Sequence, residues 1–312
     1  MTLPNTDLQV AILLCTFNGQ SYLQEQLNSF TRQSYGHWQL WVSDDGSKDK
    51  TPNILRRYQR SAGCAKVKIQ AGPQQGYVAN FMSMTCQDDI EADIYAYADQ
   101  DDVWEPDKLQ RAINWLDQVE RDIPALYCSR TRVVDSSGAH LGFSPLFRKP
   151  PSFANALVQN IGGGNTMVFN RAARDLLRQV SRDSNIVSQD WWAYMVVSGC
   201  GGQVFYDPYP SVRYRQHGAN LVGANSSWVA RAVRMRMLWQ GRYKGWTDLN
   251  LAALERCRNS LSEDSRDTLD RFIGARKATG WQRLRKFFDS GVYRQTALGS
   301  ISLLLAAMCG KV

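Results

Sequence analysis

The stretch Ile94-Tyr95-Ala96-Tyr97-Ala98-Asp99-Gln100-Asp101-Asp102 decides the fold class, because a strand-length apolar run passes directly into three carboxylates. A continuous apolar run of this length is typical of a strand that is buried on both faces of a parallel sheet. Ligands of open α/β sheets bind beyond the carboxyl ends of the strands. The stretch therefore predicts a buried strand at 94–98 whose acidic end, 99–102, lies at a ligand-binding edge.

Three similar apolar runs come before it, and each is followed by a polar loop and a helix-like pattern. The predicted strands are 10–14, 39–43 and 67–71, and the predicted helices are 21–32, 50–61 and 80–86. This alternation over about 100 residues indicates an α/β fold with a mainly parallel, doubly wound sheet flanked by helices. Beyond Trp104 we expect helices at 108–119, 153–160, 171–180 and from residue 189, and strands at 125–129, 166–169, 203–206 and 211–214.

The charge is distributed unevenly along the 312 residues, although the chain as a whole carries only +8. Residues 226–312 hold 16 Lys/Arg and 7 Asp/Glu, a balance of +9, which leaves −1 for residues 1–225. The composition, 44% hydrophobic and 21% charged, permits a sizeable core and excludes wholesale disorder. We therefore predict an α/β catalytic domain at 1–225 and a basic, helical C-terminal region at 226–312 with an anionic partner.

The cysteines and the apolar runs exclude several classes of protein. Seven scattered cysteines without CxxC spacing indicate reduced thiols, not a disulfide framework or a zinc site. The N-terminus lacks the pattern of a signal peptide, and the apolar run 301–308 is too short to span a bilayer. The expectation is a cytoplasmic protein, with peripheral attachment to the inner face of the cytoplasmic membrane as an option.

The cluster Asp99–Asp102 carries the sharpest chemical signal. Three carboxylates in four residues repel one another unless a cation compensates their charge. Oxygen ligands of this kind suit Mg²⁺ or Mn²⁺, which bind through one or two carboxylates together with substrate phosphates. The alternative is a solvated acidic turn that caps the following helix. Because a buried strand precedes the cluster, the metal interpretation is favoured.

Three other places along the chain carry polar groups suited to a ligand or a reaction. Asp44 and Asp45 form a second acidic strand end, which suits hydrogen bonds to a base or ribose, although an Asp-Gly turn is the alternative. Asp190, among aromatic residues, suits a general base, although the alternative is that it caps the following helix and has no catalytic role. His217 could be a ligand or merely structural. The glycines 162–164 would let a substrate approach the backbone, but they form neither a Walker loop nor a dinucleotide fingerprint.

Taken together and in this order, the motifs resemble family 2 glycosyltransferases of the GT-A fold, over roughly residues 8–225. The variants at 99–104, 189–192 and 214–218 are most similar to bacterial rhamnosyltransferases that build surface polysaccharide or lipopolysaccharide. The motifs that carry the resemblance are Cys15-Thr16-Phe17-Asn18, Asp44-Asp45-Gly46-Ser47, Asp99-Gln100-Asp101-Asp102, Gly162-Gly163-Gly164-Asn165, Gln189-Asp190 and His217.

The resemblance implies a role for each of these positions. Thr16, Asn18 and Asp44, with the neighbouring Asp45, would hold the nucleotide. Asp99 would contact the ribose or the metal, Asp101 would ligate the metal, and His217 would lie by the diphosphate or the metal. Gly163, Gly164 and Asn165 would shape the acceptor side of the donor pocket, and Asp190 would be the general base. The chain has Gln189 where the family often has Glu, so a carboxylate at that position is lost.

The implied function is an inverting, metal-dependent glycosyltransferase that moves L-rhamnose from dTDP-L-rhamnose to a hydroxyl of a saccharide or lipid-linked saccharide acceptor. A UDP-galactose or UDP-glucose donor is the alternative within the same chemistry. A nucleotidyltransferase would need a Gly-rich, basic phosphate loop after the first strand, which 15–19 lacks. A nucleic-acid-binding protein is disfavoured because no nucleic-acid motif is present.

Two basic segments of the C-terminal region, 227–245 and 281–288, interleave Arg and Lys with large apolar residues. Basic residues with Trp and Phe at helical spacing are typical of an interfacial helix on anionic lipid. The alternative is a helix that packs on the core and has a solvated basic face. A lipid-linked acceptor would make attachment to an anionic membrane surface useful.

Overall fold

Nine strands form one mixed sheet in the computed structural model, which describes residues 7–181, 185–217 and 242–312. The strands are β1 (Val10–Thr16), β2 (Trp38–Asp44), β3 (Val67–Ala71), β4 (Ile94–Ala98), β5 (Val103–Trp104), β6 (Ala125–Val134), β7 (His140–Phe143), β8 (Val168–Asn170) and β9 (Gln203–Arg215). The helices described are α1 (Leu23–Thr31), α2 (Thr51–Ala62), α3 (Tyr77–Cys86), α4 (Lys108–Leu116), α5 (Phe153–Ala156), α6 (Arg171–Ser181), α7 (Gln189–Gly199), α8 (Arg242–Arg256), α9 (Glu263–Lys277), α10 (Gly280–Asp289) and α11 (Ala297–Met308). The predicted α/β class with a C-terminal helical region is confirmed.

The strand order is β3-β2-β1-β4-β8-β6-β9-β5, and β7 pairs with β6 at one side. The first four strands are parallel, as predicted, whereas β8 is antiparallel to both β4 and β6. In the parallel register Thr16 pairs with Asp44, and Leu14 pairs with Ala98, the last residue of β4. The carboxyl ends of β1, β2 and β4 therefore meet at one edge, which carries the predicted site residues Thr16, Asp44 and Asp99.

Alternating residues of each central strand enter two separate hydrophobic cores, one on each face of the sheet. In β1, Val10, Ile12 and Leu14 pack with α1, α2 and α4 on one face. Ala11 and Leu13 pack on the other face, in a core that includes α3, α6 and α7. Burial on both faces explains why these strands read as continuous apolar runs.

The C-terminal helices α8, α9 and α10 pack on this second core. Leu254, Phe272 and Phe287 are at most 2% exposed and belong to the same cluster as α5 and α7. The backbone N–H of Ser262 donates to the carbonyl of Gly199 at 2.9 Å. The predicted domain boundary after residue 225 and most of segment 227–245 lie outside the described residues, so the division into two domains stays a prediction.

The clearest differences from the sequence predictions lie in β9 and α5, and β6 also extends five residues beyond the predicted strand 125–129. The strands expected at 203–206 and 211–214 are one strand, β9, because its parallel pairing with β6 continues through a register irregularity between Ser129 and Thr131. Pro208 and Pro210 in β9 lack a backbone N–H to donate, which is typical of such an irregularity. The helix expected at 153–160 is limited to Phe153–Ala156. Among the described residues, no helix has the length and apolar character needed to cross a membrane.

Candidate active site

Thr16 and Asp44 form the first part of the site, where β1 and β2 end side by side. The Thr16 hydroxyl donates to Asp44 Oδ1 at 2.8 Å, and Ser47 donates to the same carboxylate through its Oγ at 2.6 Å and its N–H at 3.0 Å. A carboxylate accepts about four hydrogen bonds. Asp44 is therefore held rigidly by three donors and keeps capacity for one more, as a contact to a nucleotide requires.

Asn18 and Asp45 connect the loops that surround this pair. Asn18 has a left-handed backbone, with φ at 49°, and its Oδ1 accepts the N–H of Lys48 at 2.9 Å. Asp45 is only 7% exposed and accepts the N–H groups of Gln74 at 2.6 Å and Gly76 at 2.9 Å. Asp45 thus holds the loop after β3, and its direct role in nucleotide binding stays a prediction.

Gln100 is a structural residue of the site that the sequence analysis did not single out. Its side-chain amide pairs with the backbone of Phe17, accepting the N–H and donating to the carbonyl, both at 2.9 Å. A Cβ on Gly19 would overlap the Gln100 side-chain amide, so a larger residue there would displace this contact. Gln100 therefore ties the loop after β1 to the acidic loop after β4.

Asp99, Asp101 and Asp190 are brought together in one acidic crevice. Desolvation in the crevice raises the pKa of Asp99 to about 8, and the charges of Asp101 and Asp190 add to the rise. Burial also raises the pKa of Tyr77, with smaller contributions from the charges of Asp190 and Asp99. A bound cation would reverse this electrostatic strain, because it favours the ionised form of nearby carboxylates.

Asp101 and His217 form a two-residue donor set beside Asp99. His217 Nε2 lies 2.7 Å from Asp101 Oδ2, and the His217 ring packs on Tyr22 at 4.9 Å between centroids. The two atoms share a hydrogen bond, which a divalent cation bound by both side chains would replace.

Within the described ranges, no group of three or more His, Cys, Asp or Glu side chains forms a complete metal site. Asp99 therefore does not complete such a group with Asp101 and His217, and its role as a metal ligand stays a prediction. A cation at this pair would take its remaining ligands from substrate phosphates and water, as Mg²⁺ sites commonly do.

Asp102 is the buried member of the acidic loop and anchors it through hydrogen bonds. It is 1% exposed, and it accepts hydrogen bonds from the Asn165 side-chain amide and from the N–H of Arg215 at 3.2 Å. Burial and the charges of Asp101 and Asp99 raise its pKa. Asn165 is itself only 3% exposed. Asn165 thus holds the acidic loop through its hydrogen bond to Asp102, and its role on the acceptor side stays a prediction.

Arg215, at the end of β9, is the second structural residue that the sequence analysis did not single out. It is 2% exposed, and its guanidinium lies 4.6 Å from the centroid of the Tyr22 ring. It donates to the carbonyl of Asp101 at 3.1 Å and pairs with Glu25 at 2.6 Å. Because His217 follows two residues later, Arg215 sets the position of both halves of the donor set.

Replacing Arg215 with Lys should loosen this arrangement. A lysine ammonium cannot reproduce the planar fork of donors. We expect Arg215→Lys to lower the free energy of unfolding by about 1–3 kcal/mol, measured by urea denaturation. Arg213→Lys, on the same strand but 50% exposed where it pairs with Glu105, should cost at most about 1 kcal/mol. Equal losses in the two variants would show that Arg215 has no special structural role.

Asp190 lies in the first turn of α7, close enough for its charge to act on Asp99. Its carboxylate accepts the N–H of Gly164 at 3.1 Å and its neighbour Trp191's N–H at 2.7 Å. Desolvation raises its pKa, although hydrogen bonds from Ser188 and Asn160 and from these N–H groups oppose the rise. The carboxylate is thus oriented by the backbone and made more basic by its surroundings, as a general base requires.

Gly164 packs against Gln189 and Asp190, and Gly163 packs against Asn165. A Cβ on Gly164 would lie 3.0 Å from Gln189 Nε2 and 3.5 Å from Asp190 Cβ, and one on Gly163 would lie 2.7 Å from Asn165 Oδ1. Among the described residues, the buried amide oxygens of Gln189 and Asn160 have no hydrogen-bond partner. Both therefore keep an acceptor available beside the carboxylate.

The chain is similar to known proteins of one family. Residues 11–177 match the model of the family described as "Glycosyl transferase family 2". The chain is 26% identical over 265 residues to the dTDP-rhamnosyl transferase RfbG of Shigella flexneri, which covers 81% of this chain and 86% of that protein. It is 25% identical over 107 residues to the putative teichuronic acid biosynthesis glycosyltransferase TuaG of Bacillus subtilis, covering 34% and 41%.

Solved structures show the same fold. The S. aureus TarS fragment 1–349 in complex with UDP-GlcNAc superposes with a TM-score of 0.58 at 14% identity, covering 97% of this chain and 88% of that one. The mannosyltransferase PcManGT from Pyrobaculum calidifontis, in complex with GDP-Man and Mn²⁺, superposes with a TM-score of 0.52 at 15% identity, covering 99% and 89%. At these identities the likeness shows the fold alone, and it confirms the GT-A type.

Proposed function

Since the chain belongs to glycosyl transferase family 2, we propose that it transfers a sugar from a nucleotide-sugar donor to an acceptor hydroxyl, with inversion at the anomeric carbon. The observation that carries the proposal is the group of carboxylates at the strand ends, where the charges of Asp101 and Asp190 both act on Asp99. One part of this group is the oriented Asp190 carboxylate with its raised pKa, and the other is the Asp101–His217 pair, which would hold a diphosphate-bound cation. The two parts match the two needs of the reaction, a base and a stabilised leaving group.

The proposed reaction is a single displacement. Asp190 takes the proton of the acceptor hydroxyl, while the oxygen of that hydroxyl forms a bond to the anomeric carbon. The bond from that carbon to the diphosphate oxygen breaks on the opposite face, and its electron pair leaves with the diphosphate. A divalent cation held by Asp101 and His217 would supply Lewis-acid stabilisation of the charge that grows on this leaving group. The N–H groups of Gly164 and Trp191 keep the base oriented throughout.

For the donor we propose dTDP-L-rhamnose, which the similarity to a dTDP-rhamnosyl transferase over 81% of this chain supports. Asp44, with one acceptor position left, and Thr16 and Asn18 around it would bind the nucleoside, and Asp99 would face the ribose. The second candidate is a UDP-hexose such as UDP-galactose or UDP-glucose. The proposed acceptor is a saccharide hydroxyl in the synthesis of lipopolysaccharide or another surface polysaccharide.

Thermal shift with dTDP, UDP and GDP, each with and without Mn²⁺, tests the donor. A nucleotide at 100 times its dissociation constant stabilises by about 2.7 kcal/mol, so the preferred one should raise Tm by about 5 °C. We expect the largest shift with dTDP and Mn²⁺, followed by release of dTDP from dTDP-rhamnose in the presence of acceptor. A larger shift with UDP would favour the second donor, and no shift with any nucleotide would contradict the proposed function.

A further inference from the structure

The helical pair α10 and α11 leaves several large apolar side chains exposed to solvent. On α11 the exposed residues Leu298, Ile301, Leu305 and Met308 recur at intervals of three or four, and each is at least 54% exposed. The opposite face of the helix is buried through Leu303, Ala306 and Ala307. The exposed residues therefore form one continuous helical stripe, which is typical of a face that binds a partner.

The neighbouring helix α10 also exposes large apolar side chains. Phe287 packs inward at 2% exposure, whereas Trp281 is 84% and Phe288 is 67% exposed. Arg283, near the start of α10, donates to the carbonyl of Ala307, near the end of α11, at 3.0 Å. The two helices are thus an antiparallel pair. Segment 281–288 therefore packs on the core, as one of its two alternatives predicted, and it also exposes large apolar side chains, while lipid binding stays a prediction.

The charge around this pair selects among possible partners. Residues 277–312 carry six basic side chains and one acidic side chain, Asp289, a local balance of +5. Arg285 and Lys286 are exposed on α10 itself. A second copy of this surface would bring like charges together, whereas an anionic lipid surface neutralises them and accepts the apolar stripe.

We propose that α10 and α11 form a docking surface for an anionic phospholipid bilayer, with Trp281, Phe288 and the α11 stripe inserted among the headgroups. A twelve-residue helix is about 18 Å long, shorter than the hydrocarbon core of about 30 Å, so α11 lies in the interface and does not span it. Apolar contact supplies the insertion, and Arg285 and Lys286 supply the selectivity for anionic lipid.

Co-sedimentation of the full chain with vesicles tests the surface. We expect binding to phosphatidylcholine vesicles with about 30% phosphatidylglycerol at low salt, weakened by added NaCl and by omission of the anionic lipid. Leu305→Asp should lower the partition coefficient at least about tenfold. The double variant Arg285→Glu and Lys286→Glu should lower it at least about 25-fold.

Matched controls come from exposed residues elsewhere on the chain. Leu141→Asp, at a leucine that is 60% exposed on β7, and the pair Arg60→Glu with Arg121→Glu should leave the partition within about twofold. The vesicles contain neither donor nor acceptor, so the result is independent of the proposed sugar transfer. The proposal is overturned if the wild type does not bind anionic vesicles, if Leu305→Asp and Leu141→Asp bind equally, or if Leu305→Asp instead dissociates a dimer in sedimentation equilibrium.

Discussion

Asp190→Asn should reduce sugar transfer by about 10²- to 10⁴-fold while leaving the binding of the nucleotide unchanged, because it removes only the group that accepts the acceptor's proton. The amide keeps the size of the carboxylate and its place at the start of α7. It cannot take up a proton, so the attacking hydroxyl remains a poor nucleophile. Transfer is measured by release of nucleoside diphosphate, and binding by calorimetry with dTDP and Mn²⁺.

The structure indicates which secondary effect must be controlled. Both carboxylate oxygens of Asp190 accept a backbone N–H, from Gly164 and from Trp191. An asparagine would turn its NH₂ group toward one of these donors, which costs about 1–3 kcal/mol of stability. Thermal denaturation of the variant therefore accompanies the assay, at a temperature where the protein remains folded.

Asp93→Asn is the matched control for this loss. Asp93 also accepts a backbone N–H, from Gln9 at 2.9 Å, and pairs with Arg171, but it precedes β4 at the opposite end of the strand from the crevice. We expect activity within about twofold of the wild type, since exposed ion pairs contribute little. Transfer by Asp190→Asn at the wild-type rate would show that another group, or water, accepts the proton.

The sequence predicted the strand ends of the site well because the signal there is local. In 94–102 the apolar run and the carboxylates are contiguous, so the position of Asp99 and Asp101 at the sheet edge follows from the pattern alone. The meeting of Thr16 with Asp44 then follows from the parallel order of β1 and β2. Each of these inferences needs only the position of a residue relative to its own strand.

The supports of the site could not be predicted, because they join residues far apart in the chain. Arg215 contacts Asp101 across 114 positions, and Gln100 pairs with Phe17 across 83. No periodicity marks such a pair, and an arginine in a polar segment is normally predicted to be exposed to solvent. The partners that enclose Asp102 were equally hidden, since Asn165 and Arg215 are both distant from it in the chain.

Asp101→Ala should abolish metal-dependent activity, with a loss of about 10²- to 10³-fold in kcat, because the leaving diphosphate loses the cation that stabilises its charge. His217→Ala should cost less, about tenfold to 100-fold, because the Asp101 carboxylate remains. EDTA should abolish wild-type transfer, and Mn²⁺ or Mg²⁺ should restore it. Since Asp101 adds to the charge repulsion that raises the pKa of Asp99, its removal relieves that repulsion and should not unfold the protein.

Two controls and one direct measurement separate metal binding from general damage. Asp93→Ala and His140→Ala remove the same side chains from positions outside the crevice, the second from an exposed site on β7, and should keep activity within about twofold. Because the donor set supplies only two ligands, Mn²⁺ should bind weakly alone and more tightly with dTDP, and Asp101→Ala should remove this coupling in calorimetry. Full activity of Asp101→Ala in EDTA would exclude a metal from the mechanism and leave the diphosphate to be stabilised by protein groups alone.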